Sequence, residues 1–529
     1  MCLFYFLLPF FPDVANAGNF SGVVVDEKSQ PVKGATVRLQ GASAASLTDR
    51  AGRFFIESAG ATGSKYIAAW KEGYYNGGEA VRATGGEYRI RLNPIPGKDN
   101  DNYRWLPSLP GQEETAGGGK IESKPCRLCH QAVTEEWLKS THATSATNPL
   151  FLAFFSGTDS AGKENTGTGY KLDFPNSNGN CATCHVPAAA LKNPFNTDPR
   201  LARGVEKEGV SCDLCHKISG VNIDESGGYP GTLSTRFNRP PEGRQIFYGP
   251  YDDVFPGDDS YHPLYKESRY CAPCHNGRFW NVLIYSEYRE WAESEYATRK
   301  IHCQACHMKP DNRLTRFAAE KDGGVARDSE TIPSHLFSGI GDRAFMAEAV
   351  DLKVTAERKD NLLSVVVTVT NVKSGHHYPS GNPMRNMILL VDASDGNGRA
   401  LSLVEGERVP VWGGTGDART GNYAGLPGKG FAKVLREPVP YPDSQAKRHF
   451  RPEYPAPHWR PAVIESDNRI PANGSDVSRY GFRLPANLHT GIHIESRLIY
   501  RRSYKNWLDV KGFPLNEMEI ARKNLVIGR

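Results

Sequence analysis

Ten of the eleven cysteines in this 529-residue chain fall into five copies of one pattern: two cysteines with two residues between them, followed at once by histidine. The copies are Cys126, Cys129 and His130; Cys181, Cys184 and His185; Cys212, Cys215 and His216; Cys271, Cys274 and His275; and Cys303, Cys306 and His307. The chemistry that needs this spacing is covalent attachment of a c-type haem. Each thiol adds across one porphyrin vinyl group, and the histidine brings an imidazole to the iron. A single C-x-x-C would equally suit zinc or a redox dithiol. Five copies that all end in histidine point instead to five covalently attached haem c groups. The ten cysteines are then the haem-binding residues and the five histidines are iron ligands. Cys2, near the start, is the only cysteine outside the pattern.

Ten further histidines are available as second axial ligands. His142 lies on a segment expected to be helical, residues 133–144. Twelve residues beyond His130, a helix carries it about 18 Å along the axis, so it should reach a neighbouring haem. His302 directly precedes Cys303 and cannot fold back onto the haem attached there, so it too should serve a neighbour. His262 sits beside Asp252, Asp253, Asp258 and Asp259, a cluster expected to be a solvated loop rather than a calcium site. His335 and His376 lie in the turn-like segments 333–337 and 375–381. His449, His458, His489 and His493 have no such signals nearby and are expected to be structural. Met308, Met384 and Met387 leave room for one His/Met site.

The elements that must hold these residues form a multidomain α+β chain. Residues 1–17 are apolar and end in Ala15-Asn16-Ala17, the pattern of a secretory leader. Haem attachment outside the cytoplasm agrees with export to the periplasm or cell surface. Residues 18–93 have short β-rich runs at 23–25, 35–39, 54–56, 66–70 and 88–92, expected to form a small sandwich. Residues 94–120 are expected to be a linker, rich in Gly, Pro, Asp and Asn. The haem region spans 121–341, where short helices and loops must wrap porphyrins that serve as the core. Its motif starts are 55, 31, 59 and 32 residues apart, an alternation that suggests duplication. A second β domain is expected over 346–512, with strands at 352–356, 363–370, 387–391, 479–484 and 493–500. Asp395-Gly396 forms a turn there, and residues 411–466 show no clear pattern. Residues 513–529 are expected to be a tail. No stretch after the leader is apolar for long enough to form a transmembrane segment.

Composition removes other classes. Hydrophobic residues make up 39% and charged residues 23%, which excludes disorder. The net charge of +5 is spread without basic runs, so a nucleic-acid partner is excluded. Five ferric haems with ionised propionates would cancel that charge.

Two resemblances follow from quoted segments. Gly22-Val-Val-Val-Asp26, Pro31-Val-Lys-Gly-Ala-Thr-Val37 and Thr48-Asp-Arg-Ala-Gly-Arg-Phe54 resemble the carboxypeptidase-regulatory-like domain. That implies an exported β-sandwich serving as spacer or interaction module. Trp137-Leu-Lys-Ser-Thr-His142, Tyr288-Arg-Glu-Trp-Ala-Glu-Ser294, Ser334-His-Leu-Phe337 and Gly375-His-His-Tyr-Pro-Ser-Gly381 resemble the multihaem c-type cytochromes related to the tetrahaem electron carrier of ammonia-oxidising bacteria. This resemblance implies bis-histidine haems packed edge to edge. By motif it assigns distal roles to His142, His262, His302, His335 and His376, with His376 against His377 left open. It further implies electron transfer with redox partner proteins, either other cytochromes or a quinol-linked oxidoreductase. Alternatives are a reductase of nitrite, hydroxylamine or similar small substrates, and a homo-oligomeric subunit of an extracellular cytochrome filament.

Overall fold

A computed structural model describes residues 19–57, 64–82, 86–112, 124–224, 227–438, 450, 453–486 and 488–528. The expected leader, the glycine run 117–119 and His449 lie outside the described residues. The architecture is mixed α+β, with β-rich regions at both ends and short helices, hairpins and loops between them.

In the N-terminal region, Phe20–Asp26 pairs antiparallel with Arg53–Ile56 and parallel with Glu87–Leu92. A second sheet runs Ala45–Leu47, Thr36–Leu39, Tyr66–Trp70, Gly77–Ala80. Alternation drives the packing: Glu87–Leu92 buries Tyr88, Ile90 and Leu92 and exposes the residues between. These side chains meet Val24, Val37 and Ile67 from the other strands.

The sandwich is fixed to the haem-motif region through the acidic stretch. Asp252 pairs with Arg38 at 2.9 Å. Asp253 pairs with Arg327 at 2.6 Å and accepts the Gly41 N–H at 2.7 Å. The expected solvated loop is therefore a seam between two regions, because guanidinium and backbone donors replace the water around Asp253. The expected linker is also docked, at least over its described part. Tyr103 donates its hydroxyl to Asp213 at 2.9 Å, and the Leu106 N–H reaches the same carboxylate at 2.8 Å. Ser108 and Leu109 donate backbone N–H groups to Glu208.

The C-terminal region is a sandwich of two antiparallel four-stranded sheets. One runs Val350–Lys359, Leu362–Asn371, Ser475–Arg483, Ser402–Glu405; the other runs Gly428–Phe431, Asn386–Asp395, Ile492–Arg501, Met518–Ile527. Leu363, Val365, Val367 and Val369 on one sheet face Met387, Leu389 and Val391 on the other, all fully buried. Met518–Ile527, expected to be part of a tail, instead pairs along the length of Ile492–Arg501. It is an edge strand with Lys523, Asn524 and Arg522 exposed, so its polar residues hide its role. Within the unpatterned stretch 411–466, Lys433–Arg436 pairs with Val463–Asp467. This hairpin carries Leu435, Ala456 and Ala462 onto Ile284 of the haem-motif region.

Candidate functional site

Each motif folds as a single tight helical turn. The His130, His185 and His275 N–H groups bond the carbonyls of Cys126, Cys181 and Cys271 at 2.9, 3.1 and 3.1 Å. Cys212–His216 and Cys303–His307 are one-turn helices, and Ser211 caps the former. One turn sets the first cysteine, the second and the histidine along one face, since positions three and four apart are neighbours. All ten motif thiols are free and only partly buried, because that face looks into one central chamber of about 3570 Å³. A pocket for a single small molecule rarely exceeds about 1,000 Å³.

Ten histidines line the chamber. Five come from the motifs; the others are His142, His302, His335, His376 and His458. His262 does not line it. Its Nδ1 accepts the Leu264 N–H at 3.2 Å, which caps the turn Pro263–Lys266. His377 also stays outside the lining, with its backbone N–H on Glu290, whereas His376 faces inward. His489 and His493 are exposed. Met308 and Met384 border the chamber, and Met387 is buried in the sandwich core.

Two pairs of chamber-lining imidazole rings lie close to one another. A metal–imidazole bond of about 2 Å, plus the half-width of each ring, puts two trans imidazole centroids roughly 6.3 Å apart. His307 and His376 are 6.3 Å apart with nearly parallel planes, and His142 and His275 are 6.5 Å apart with nearly perpendicular planes. The expected long helix is absent: Gln131–Leu138 ends early, and Lys139 and Ser140 close it with bonds to Glu136 and Trp137 three residues back. His142 follows in a turn whose carbonyl accepts the Val210 N–H at 3.2 Å. His335 sits near His216 and His130, and His302 is held through Nδ1 by the Ser268 N–H at 3.1 Å.

Burial pushes these imidazoles far below their ordinary pKa, His142 and His458 to about 3 and His185, His307 and His335 to about 4. All five are neutral at physiological pH, the form that binds a metal. The Nδ1 atoms of His142, His335 and His458 are buried without a protein partner.

Four motif histidines direct Nδ1 to a backbone carbonyl from another segment. His130 reaches Phe317 at 3.2 Å, His185 Ser145 at 3.1 Å, His216 Tyr248 at 2.6 Å, and His307 Ser338 at 2.6 Å. Such a bond fixes the ring and turns Nε2 toward the chamber. The fifth differs: His275 Nδ1 lies 3.7 Å from the Glu287 carboxylate. Burial pushes Glu287 up, but His275 and Arg385 outweigh it and hold its carboxyl at about 2. The four carbonyls lie between 31 and 187 residues from their histidines, and no local pattern marks them.

Thiols of different motifs touch. Cys126 meets Cys212, Cys184 meets Cys274, and Cys271 meets Cys303. Cys215 lies near Cys271 and Cys274, with the Tyr270 hydroxyl on its carbonyl at 3.1 Å.

Residues 125–217, which hold the first three motifs, match the family model described as Cytochrome c554 and c-prime. Among solved structures, a penta-heme cytochrome c552 from Thermochromatium tepidum is similar, with a TM-score of 0.52 and 18% identity over 76% of this chain and 97% of that one. No curated protein matches. Free thiols on one face of each turn, neighbouring imidazoles and orphaned buried Nδ1 atoms fit covalent haem c, the cofactor of a multihaem cytochrome.

Proposed function

We propose that this chain is an exported pentahaem c-type cytochrome that passes electrons between redox partner proteins, with its irons held between pairs of histidines. The observation that carries this is the placing of His142 by His275 and of His376 by His307 at the centroid spacing that two imidazoles sharing one metal would have. Covalent haem c supplies a one-electron iron couple at each motif. The ten motif cysteines anchor it and the five motif histidines present Nε2. Carbonyls and the Glu287 carboxylate hold the far edge of those rings. His142, His302, His335 and His376 would hold the irons as second imidazole ligands, so that a small substrate would find no free place on those metals.

Contacts and close approaches between motif thiols indicate which sites are neighbours. The first adjoins the third, the third adjoins the fourth, and the fourth adjoins both the second and the fifth. The fourth motif is then the junction of a branched relay. Among the described residues no helix is long and apolar enough to cross a membrane. Together with the leader at residues 1–17, this supports a place in the periplasm or at the cell surface, with another cytochrome or a quinol-linked oxidoreductase as partner.

The test uses the mature holoprotein. Intact mass should show five covalent haems, and reduced small cytochromes should exchange electrons with it rapidly. Nitrite and hydroxylamine should be consumed no faster than by free c-type haem peptides. Multiple turnovers of either would overturn the carrier assignment in favour of a reductase.

A further inference from the structure

The four distal histidines named above leave one of the five irons without a second histidine. His142 lies by His275, His376 by His307, and His335 by His216 and His130, while His302 is held on Ser268 beside the fifth motif. The chamber-lining histidine whose electrostatic neighbour is His185 is His458. It comes from the far side of the chain, on the segment between Lys433–Arg436 and Val463–Asp467. We propose that His458, and not His262, is the sixth ligand of the iron held by Cys181, Cys184 and His185. The inference rests on the carrier assignment and completes its ligand set.

Three sets of observations support this assignment. The first is anchoring. Ala456 bonds Leu435 at 2.8 Å, the Trp459 indole donates to Asp173 at 2.8 Å, and Arg460 grips both Asp173 oxygens at 2.7 and 2.9 Å. The Trp459 carbonyl accepts the Trp280 indole N–H at 2.9 Å. Asp173 precedes the second motif and Trp280 follows the fourth, so the backbone around His458 is clamped to the chamber from two sides. Bonds of this kind hold a ligand, whereas a histidine merely filling space has no need of them. The second is the ring environment. Phe279, Tyr285 and Trp459 pack edge-on at 5.7, 6.0 and 5.3 Å and fix the imidazole plane. The third is polarity. Nδ1 is buried with no protein partner, and Nε2 lies 3.5 Å from the Tyr285 hydroxyl, whose own near neighbours include Cys184 and Cys181. An imidazole left so poorly satisfied in an aromatic wall costs stability unless a metal takes up a nitrogen. His262, in contrast, lies off the chamber lining.

The experiment compares full-length holoprotein with His458→Ala, His458→Met and His262→Ala, by intact mass, electron paramagnetic resonance and carbon monoxide binding. We expect wholly low-spin wild type, and in His458→Ala one iron of the five turned high-spin and binding one equivalent of carbon monoxide, with haem content unchanged. His262→Ala should leave the spectrum as it was. If His458→Ala loses haem, His458→Met decides: one low-spin His/Met iron with a raised potential supports the ligand role, and unchanged potentials overturn it. A wholly low-spin wild type whose spectrum His458→Ala does not alter overturns this inference alone. A wild type with one high-spin iron that His458→Ala does not increase overturns the carrier assignment at that site too, with His458 then acting as a hydrogen-bonding group beside an open metal.

Discussion

The C-terminal sandwich and the haem-motif region are built on opposite principles. In Leu362–Asn371 every second side chain is buried, and the sheet opposite answers with Met387, Leu389 and Val391, so apolar surface alone specifies the packing. Within itself the haem-motif region has only small apolar clusters, such as Ile218, Val221, Ile223, Leu264 and Ala272, while its buried aromatics Phe154, Phe155, Tyr170 and Phe174 pack against the C-terminal region. Its centre is a chamber faced by thiols and imidazoles. One region folds around side chains, the other around what its side chains bind. The two are joined where the C-terminal hairpin reaches across, with Lys433 buried and its ammonium donating to the Ser286 hydroxyl at 2.8 Å.

The largest expected effect tests that contrast directly. In protein made without haem attachment, amides between residues 124 and 345 should exchange with solvent freely, while Leu362–Asn371 and Asn386–Asp395 stay protected. Hydrogen exchange followed by mass spectrometry checks this, and uniform protection of both regions would break the comparison. Next in size is a cut in the sandwich core. Leu389 is fully buried, so Leu389→Ala should cost about 2–5 kcal/mol of stability in denaturant unfolding. The haem spectrum should not change.

A smaller effect is confined to one site. His142→Ala should turn one iron high-spin in resonance spectra without reducing covalent haem, because the thioether bonds are independent of the sixth ligand. The smallest effect belongs to Glu287. An ionised carboxylate on His275 Nδ1 makes that imidazole a stronger donor than its four carbonyl-held counterparts and favours the ferric state. Glu287→Gln should therefore raise the midpoint potential of the site at Cys271 and Cys274 by several tens of millivolts, with no change in spin state. A potentiometric titration followed by visible spectra checks it.

What could be read in the sequence divides along the same line. The motif spacing is local chemistry, and alternation in segments such as 363–370 is local geometry, so both were legible. The edge strand Met518–Ile527 was not, because half its face is charged and only its long-range pairing with Ile492–Arg501 makes it a strand. The end of the helix before His142 was hidden as well, since it depends on bonds that Lys139 and Ser140 make three residues back. His262 and His458 show the same limit at the site. The first has acidic neighbours in sequence yet caps a turn, while the second stands among prolines and aromatics and lines the chamber only through a hairpin crossing from the other region. Docking of residues 100–109 on Asp213 and Glu208 is likewise tertiary, and its Gly- and Pro-rich composition reads as a linker.

The central claim is that paired histidines close the irons of one shared chamber and leave electron transfer as their function. An anaerobic spectroelectrochemical titration of the mature holoprotein, followed by electron paramagnetic resonance, tests it most directly, because it counts low-spin and high-spin iron at each potential. The account predicts five low-spin signals in the oxidised protein, removed one after another on reduction, and no carbon monoxide adduct in the reduced form. A stoichiometric high-spin iron that binds carbon monoxide would contradict it.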